Sequence, residues 1–525
     1  MTLRESIDIS HTGFLPPLVK DYLGRDEKVK QLHSYYPELD NFKHAIADKQ
    51  TNTINREALV AALRKQYEKL HASDFVNEHI AALLGSNTFT ITAAHQPVLF
   101  TGPLFNIYKI SSAINLAKQL KEGYPDFSFV PVFWMGSEDH DMDELNNTTV
   151  AGKRYEWSAG ASGAVGRLNT SILQQALEEV RTAIGENEAI KIIEEAAAKC
   201  DTIAQFTQYV INEVFKPHGL VVINQDDAAL KALFKNVIAD EVFNNRATQI
   251  LADNIAYIEQ HYKVQAKPRD INFFHLGEQY RERVIWDEAK ACYVVNNQPI
   301  SFTKEELQQE IDSAPERFSP NVFFRPLYQE MVLPNIAFVG GAGELSYWLE
   351  LKPLFEHYKV SFPVLVMRSM AAIVAPSAIS KLQKLDMQLP QFFKDVDLLV
   401  NEYIKDQAGS ATSLAEQRAQ VEAMYEVIGK KAEAVDITLV QSVAAEKQKA
   451  LTVLDNLEGK MLKAEKRKQE TSVNQIRAVH GSVFPNGSLQ ERVENFIPFY
   501  TPAFIEQCVE TLNPLKQQFY IFIND

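Results

Sequence analysis

Between Thr88 and Asn146 the apolar positions change period twice. Phe89, Ile91 and Ala93 form an apolar run that ends in the polar pair His95-Gln96, as a strand does when it leaves a sheet. Leu104, Ile107, Tyr108, Ile110 and Ile114 then recur at helical spacing, which predicts an amphipathic helix opening at Gly102-Pro103 and lasting to Gly123. Proline suits a first helical turn because the amide it lacks would be unpaired there. Phe127 to Met135 is an almost unbroken apolar run, the pattern of a strand buried on both faces, and the acidic cluster Glu138-Asp139-His140-Asp141 follows it. The segment reads as a βαβ unit whose two polar loops both follow strands, and in open parallel sheets ligands bind at the strands' carboxyl ends.

The same reading extends along the chain. Residues 1–86 read as helices, with Leu59, Leu63, Tyr67 and Leu70 on one stripe behind a cap at Asn55. Thr148 to Ser158 suggests a hairpin, and Ile172 to Phe215 is helical sequence inserted between strands. Leu220 to Asn224 is a further buried strand, followed by a helical region from Ala228 to His261, short strands from Tyr262 to Ser301, and a capping box from Thr303 to Glu306. Arg325 to Glu330 starts a short helix, Asn335 to Val339 forms a strand, Gly340 to Glu344 turns into another helix, and Phe362 to Met367 supplies a fifth strand ending at Arg368-Ser369. From Ser410 to His480 glycine becomes rare. Val443, Ala450, Leu454, Leu457, Met461 and Ala464 follow steps of three, four or seven, and Leu414, Val421, Met424 and Ile428 form a shorter matching helix, so an antiparallel coiled-coil arm is expected. Phe519 to Ile523 reads as a last strand returning to the body. The expected division is a helical segment 1–86, a core 87–409 with insertions near 148–215 and 262–320, an arm 410–480, and a segment 481–525 packing back on the core. Five hundred and twenty-five residues at 46% apolar content can bury such a core.

A formal charge of -15 argues against nucleic acid as a partner. Cys200, Cys292 and Cys508 are too few and too scattered for a disulfide framework or a zinc site and suit a reducing compartment. Without a basic, apolar leader or a bilayer-length apolar run, the expectation is a soluble cytoplasmic protein with no membrane partner.

Several residues carry candidate chemistry. His95, beside Gln96 at a βα turn, can donate a hydrogen bond to charge developing on a phosphoryl or carboxyl oxygen, or can simply tie down its loop. Gly102 would let the backbone approach a phosphate, with Asn106, Tyr108 and Lys109 one turn inside the helix, although part of that face must be core. Glu138, Asp139, His140 and Asp141 offer oxygen ligands for Mg²⁺ or a His-assisted metal site, a grip on a substrate amine or hydroxyl, or merely a solvated loop capping a helix; no metal is assigned. Gly340, Gly341 and Gly343, followed by Glu344, have neither the GxGxxG nor the GxxxxGK[ST] spacing, which argues against NAD and Walker-type ATP use while leaving a turn that can approach an anion. Arg167, Arg325 and Arg368 lie near strand ends or turns and can fork onto carboxylate or phosphate.

HQPVLFTGPLFNIYK, VPVFWMGSEDHDMDELN, Val165-Gly166-Arg167, RPLYQEMVLPNIAFVGGAGELSYWLELKPLFE and FPNGSLQERVENF resemble the BshC family, the cysteine ligase assigned to bacillithiol biosynthesis, through nearly the whole chain. The resemblance implies an α/β fold: a Rossmann-like parallel-sheet core related to class I aminoacyl-tRNA synthetases and nucleotidyltransferases, with connecting insertions and an antiparallel helical coiled coil through which a homodimer forms. It implies a ligase that joins the carboxyl of L-cysteine to the amine of glucosaminyl malate. On that reading His95, Asp139, His140 and Asp141 are the catalytic candidates, with His140 as base for the glucosamine ammonium. Gln96, Asn106, Tyr108, Lys109, Glu138, Arg167, Arg325, Gln329 and Arg368 face substrate, Arg325 or Arg368 taking the malyl carboxylates. Gly102, Gly340, Gly341, Gly343 and Glu344 hold ATP or another nucleotide. Two other readings stay open: a nucleotidyltransferase acting on a small molecule, and a coiled-coil scaffold with a degenerate ligand-binding α/β domain.

Overall fold

In a computed structural model, which describes residues 1–70, 72–157 and 162–524, the chain divides into two units: residues 1–373 with 488–525, and residues 374–487. The centre of the first unit is a five-stranded sheet whose neighbours run Val364–Met367, Asn335–Gly340, Thr88–His95, Ser128–Met135 and Val221–Asn224. Every pairing is parallel. Numbered along the chain, the spatial order is 3-2-1-4-5, the doubly wound order, and it reverses direction at the strand Thr88–His95. The chain leaves that strand by Phe105–Gly123 to reach a neighbour on one side, while the strand on its other side arrives only at Asn335. Loops at a reversal diverge, which opens a crevice between the carboxyl ends of the Thr88–His95 and Asn335–Gly340 strands.

The apolar pattern accounts for these strands. Phe89, Ile91 and Ala93 are buried in one core with Ile107, Ile110 and Ile114 of the crossover helix. Thr90 and Thr92, at the alternate positions, point to the other face, where both hydroxyls donate to Asn335 Oδ1 at 3.1 and 2.8 Å. Val130, Val132, Phe133 and Trp134 are at most 1% exposed, as the unbroken apolar run requires, and each such side chain contributes about 1.5–3 kcal/mol by its burial.

The Asn55 cap accepts from the Ala58 amide at 3.0 Å, and the Thr303–Glu306 capping box forms in both directions at 3.2 and 2.8 Å. The insertion after Met135 carries the hairpin Asn147–Val150 with Lys153–Glu156 and the helices Gln174–Ile184, Glu188–Lys199 and Ile203–Phe215; Ser158, the expected end of that hairpin, lies outside the described residues. The second insertion is an antiparallel sheet of Ser301–Phe302, Cys292–Val295, Arg281–Asp287, Phe273–Leu276 and Phe318–Pro320.

Three boundaries differ from the sequence reading. The N-terminal segment is not wholly helical: Thr2–Asp8 is a strand paired antiparallel with Gln518–Ile523, an arrangement fixed by a partner at the far end of the chain. The crossover helix runs Phe105–Gly123 and starts after Pro103, which instead forms a bridge to Asn495. The first unit ends at Ile373 rather than at 409, because the helices Pro376–Leu385 and Val396–Ala408 pack with the helices of the second unit.

In the second unit Ala415–Val435 and Leu439–Lys468 form a helical hairpin around residues 436–438. The Leu414 amide donates to Glu458 at 3.4 Å and Arg418 pairs with Asp455, so the two helices run antiparallel. Met424, Val427, Ile428, Val453, Leu457 and Met461 remain exposed on them. Among the described residues no helix is long and apolar enough to cross a membrane.

Candidate active site

A cavity of about 250 Å³ occupies the crevice at the strand-order reversal. Ala94, His95 and Gln96 line one side, and Gly341, Gly343 and Glu344 line the other. Arg325 and Gln329 enter from the helix Phe324–Val332, Arg368 from the end of the fifth strand, and Arg492 from the segment that returns after residue 487. Phe105, Trp134, Phe338 and Trp348 supply apolar wall.

Lys109 and Glu344 join the two sides. The Lys109 ammonium, fully buried, lies 2.6 Å from Glu344 Oε2 and donates to the Ala94 carbonyl at 2.8 Å. The same Oε2 accepts the Gly341 amide at 2.8 Å. Burial alone would raise the Glu344 carboxyl, but Lys109 and the Gly341 amide outweigh it and hold the group below the usual range. Glu344 Oε1 is left for other partners.

His95 Nδ1 lies 3.0 Å from the Gln96 carbonyl, which can only accept, so Nδ1 carries the proton and Nε2 keeps its lone pair. Burial, with the Lys109 charge beside it, pushes the imidazole down to about 4, and His95 is neutral at pH 7. Gln96 Nε2 donates to Asp139 Oδ2 at 3.1 Å, and Arg325 Nη1 stands 3.5 Å from the same oxygen. For Asp139, burial raises the carboxyl, but the His140, Arg325, Arg281 and Gln96 contacts outweigh it and hold it well below the usual range.

Arg368, 2% exposed, donates from Nη2 to Glu491 at 2.7 Å and from Nη1 to the Ser369 carbonyl at 3.0 Å, and its Nε has no partner among the described residues. A buried guanidinium N–H without a protein acceptor, on a residue that lines a cavity, can donate to an anion oxygen.

The crevice thus brings together His95, Gln96, Arg325, Gln329, Gly341, Gly343, Glu344 and Arg368, with Lys109 and Asp139 directly behind them. The remaining candidates are placed elsewhere. Glu138 is buried against Lys231 at 2.5 Å and accepts from Gln225 at 3.1 Å. His140 Nδ1 takes Arg281 Nη1 at 3.0 Å, and Asp141 is exposed ahead of the short helix Met142–Leu145. Arg167 forks onto Asp226 at 2.7 and 2.8 Å. Asn106 donates to the Thr101 carbonyl at 3.1 Å, and the Tyr108 ring lies in the core. Gly102, at φ +76°, completes a left-handed turn after Phe100 and Thr101, and its carbonyl accepts Asn495 Nδ2 at 2.7 Å. Gly340 is packed so that a Cβ would stand 2.7 Å from the Phe338 ring, and its carbonyl takes the Arg368 amide at 2.8 Å. Among the described residues no three His, Cys, Asp or Glu side chains come together to hold a metal ion.

Sequence reading missed Arg492 and Tyr347, which also line the cavity. Both lie within stretches that carry the family resemblance, FPNGSLQERVENF and GGAGELSYW, and that was the available signal.

A family profile described as "Bacillithiol biosynthesis BshC, N-terminal Rossmann-like domain" matches residues 2–369, and one described as "Bacillithiol biosynthesis BshC, C-terminal coiled-coil domain" matches residues 371–523. A protein named "Putative cysteine ligase BshC" from Flavobacterium psychrophilum is 37% identical over 98% of this chain and 99% of its own. Proteins of the same name are 36% identical in Flavobacterium johnsoniae, over 98% and 99% of the two chains, and 28% identical in Bacillus mycoides, over 93% and 94%. A solved structure described as a putative arginyl-tRNA synthetase from Campylobacter jejuni aligns with 84% of this chain and 98% of its own at 9% identity, with a TM-score of 0.22. Matched end to end by the two profiles and by relatives above 30% identity, the chain belongs to the BshC family of bacillithiol biosynthesis, as a Rossmann-like domain followed by a coiled-coil domain.

Proposed function

We propose that the chain is a cytoplasmic ligase that forms the amide between the carboxyl of L-cysteine and the amine of glucosaminyl malate, and that the cavity at the strand-order reversal is where it does so. The observation that carries this reading is the pairing, in one cavity, of cationic groups from Arg325, Arg368 and Arg492 with the acceptors His95, Gln329 and Glu344. Reactants that bear carboxylates and amines need both kinds of group.

Amide formation at neutral pH needs an activated carboxyl and an unprotonated amine. A bound nucleoside triphosphate would supply the activation by giving the carboxyl oxygen a good leaving group. The residues that fit its phosphates are Arg368, through an Nε that no protein group among the described residues pairs, with Arg325 and Arg492; the glycine amides fit less well, since Gly341 already donates to Glu344 and the Gly102 carbonyl is taken by Asn495. Arg325 and Arg368 are also placed to receive carboxylates. Neutral His95 offers a lone pair to the incoming amine without adding a positive charge that would repel its ammonium form. Asp139, kept ionised, orients Gln96 and Arg325 from behind. His140 and Asp141 stand further out, where contact with the sugar is the role left to them.

The exposed apolar side chains of the arm support self-association into a homodimer. Sedimentation analysis of the parent chain and a Leu457→Lys/Met461→Lys variant tests that part: a dimer that becomes monomeric is expected, and an unchanged sedimentation coefficient opposes it. The reaction is tested with purified protein, glucosaminyl malate, L-cysteine and ATP, followed by mass spectrometry for the amide and for AMP or ADP. Amide product that carries labelled cysteine supports the ligase; nucleotide transfer without cysteine in the product opposes it.

A further inference from the structure

The amino acid poses a selectivity problem that the other substrate does not. Once the cysteine carboxyl is activated, its own α-amine competes with the sugar amine, and attack by that amine of a second cysteine would give the dipeptide. A site that is to present the carboxyl of the amino acid, and not its α-amine, to the reaction holds that amine as ammonium, which needs hydrogen-bond acceptors beside it.

Two acceptors in the cavity are fixed by buried partners. Glu344 commits Oε2 to Lys109 and to the Gly341 amide, at 2.6 and 2.8 Å, which leaves Oε1. Gln329 is fixed by a longer chain of contacts. Lys49 Nζ lies 3.3 Å from Glu330 Oε2, with both side chains at most 2% exposed. Glu330 Oε1 accepts from Asn335 Nδ2 at 2.7 Å and from Gln329 Nε2 at 2.9 Å. The Asn335 amide has one possible orientation, because the Glu330 carboxylate takes only its NH₂ end, and its Oδ1 then accepts the Thr90 and Thr92 hydroxyls at 3.1 and 2.8 Å. A carboxylate accepts only, so Gln329 must present its NH₂ to Glu330 and turn Oε1 the other way. Gln329 lines the cavity, so the buried ion pair under the sheet decides which end of this amide a ligand meets.

We propose that Gln329 Oε1, with Glu344 Oε1, is the acceptor set that holds the α-ammonium group of the amino-acid substrate, and that Glu330 and Lys49 are positioning residues that keep the Gln329 amide from turning over. The inference rests on the cysteine-site reading above and adds the group that distinguishes the substrate's own amine from the attacking one. The arginines then face the carboxyl end of the same zwitterion.

The test is calorimetric titration of the full chain with L-cysteine and with 3-mercaptopropionate, which lacks only the amino group, each with and without glucosaminyl malate. The parent protein is expected to prefer L-cysteine by about tenfold or more, the scale of a hydrogen bond to a charged group. Gln329→Met, similar in length and without the acceptor, is expected to bring that preference to within about threefold. Glu330→Gln is expected to lower the preference in part, since Gln329 can then turn over. A thermal melt checks that each variant is folded, and the Lys49→Met/Glu330→Gln pair removes the orphaned charge if the single variant is unstable. A Gln329→Met protein that keeps the parent preference overturns the inference. A parent that binds both compounds equally overturns the ammonium assignment alone, whereas a parent that binds neither overturns the cysteine-site reading.

Discussion

The loops that leave the two central strands stand side by side and both touch the cavity, the first through His95 and Gln96, the second only through the backbone turn at Gly136. His95-Gln96, after the first strand, lines it; of Glu138-Asp139-His140-Asp141, after the second, only Asp139 comes near, through Gln96 and Arg325. The difference is one of sheet order. The first strand borders the reversal, where loops separate, whereas the second lies between strands one and three of a continuous run, and His140 and Asp141 of its loop are exposed away from the cavity lining. Glu138 is accordingly an anchor, paired with Lys231 in the interior. A polar cluster at a strand end marks the correct rim of the sheet, and the strand order decides which cluster meets ligand.

The largest effect that tests this contrast is on stability. Lys231→Met leaves the Glu138 carboxylate buried without its cation, and a loss of about 3–5 kcal/mol in urea unfolding is expected, largely recovered in Lys231→Met/Glu138→Gln. A loss below about 1 kcal/mol would mean that Glu138 is not an anchor. The second effect is on rate. Arg325→Met is expected to lower kcat/KM for amide formation about 100-fold, roughly 2.7 kcal/mol, with the fold intact, whereas Asp141→Asn is expected to stay within about threefold of the parent. Equal losses in the two variants would erase the distinction between the loops.

The smallest effect is in pH dependence. The folded state holds the His95 imidazole down at about 4 against an ordinary value near 6.5, so as pH falls through 6.5 the unfolded chain takes up a proton that the folded one refuses. Stability from this site is complete above about pH 6.5 and declines towards pH 4. Denaturation at pH 7 and pH 5 is expected to show the parent losing about 1 kcal/mol more than His95→Gln, after allowance for solvent screening at a half-buried ring. An identical pH response in both proteins would place His95 in a solvated setting.

What the chain made legible was local. The five strands, the Asn55 cap and the Thr303–Glu306 box follow from neighbouring residues, and the structure contains them. The strand Thr2–Asp8 was not legible, because its alternation is mostly solvent-exposed and its partner is Gln518–Ile523. Gly102 forms a left-handed turn whose carbonyl is claimed by Asn495, a residue that arrives after the arm. Arg492 arrives by the same route, and Arg167 is spent on Asp226. Distant partners decide which charged groups are free, and spacing along a single chain does not report them.

Ligation is proposed to take place at the strand-order reversal, where the His95 loop and the Gly341 turn line opposite sides of one cavity. The most direct measurement is quantitative mass spectrometry of the cysteine amide made from glucosaminyl malate, L-cysteine and ATP by the parent, Arg325→Met and Asp141→Asn proteins, each verified as folded. Abundant product from the parent and Asp141→Asn, with about a hundredfold less from Arg325→Met, is the predicted result; parental yield from Arg325→Met, or no amide from the parent, would contradict it.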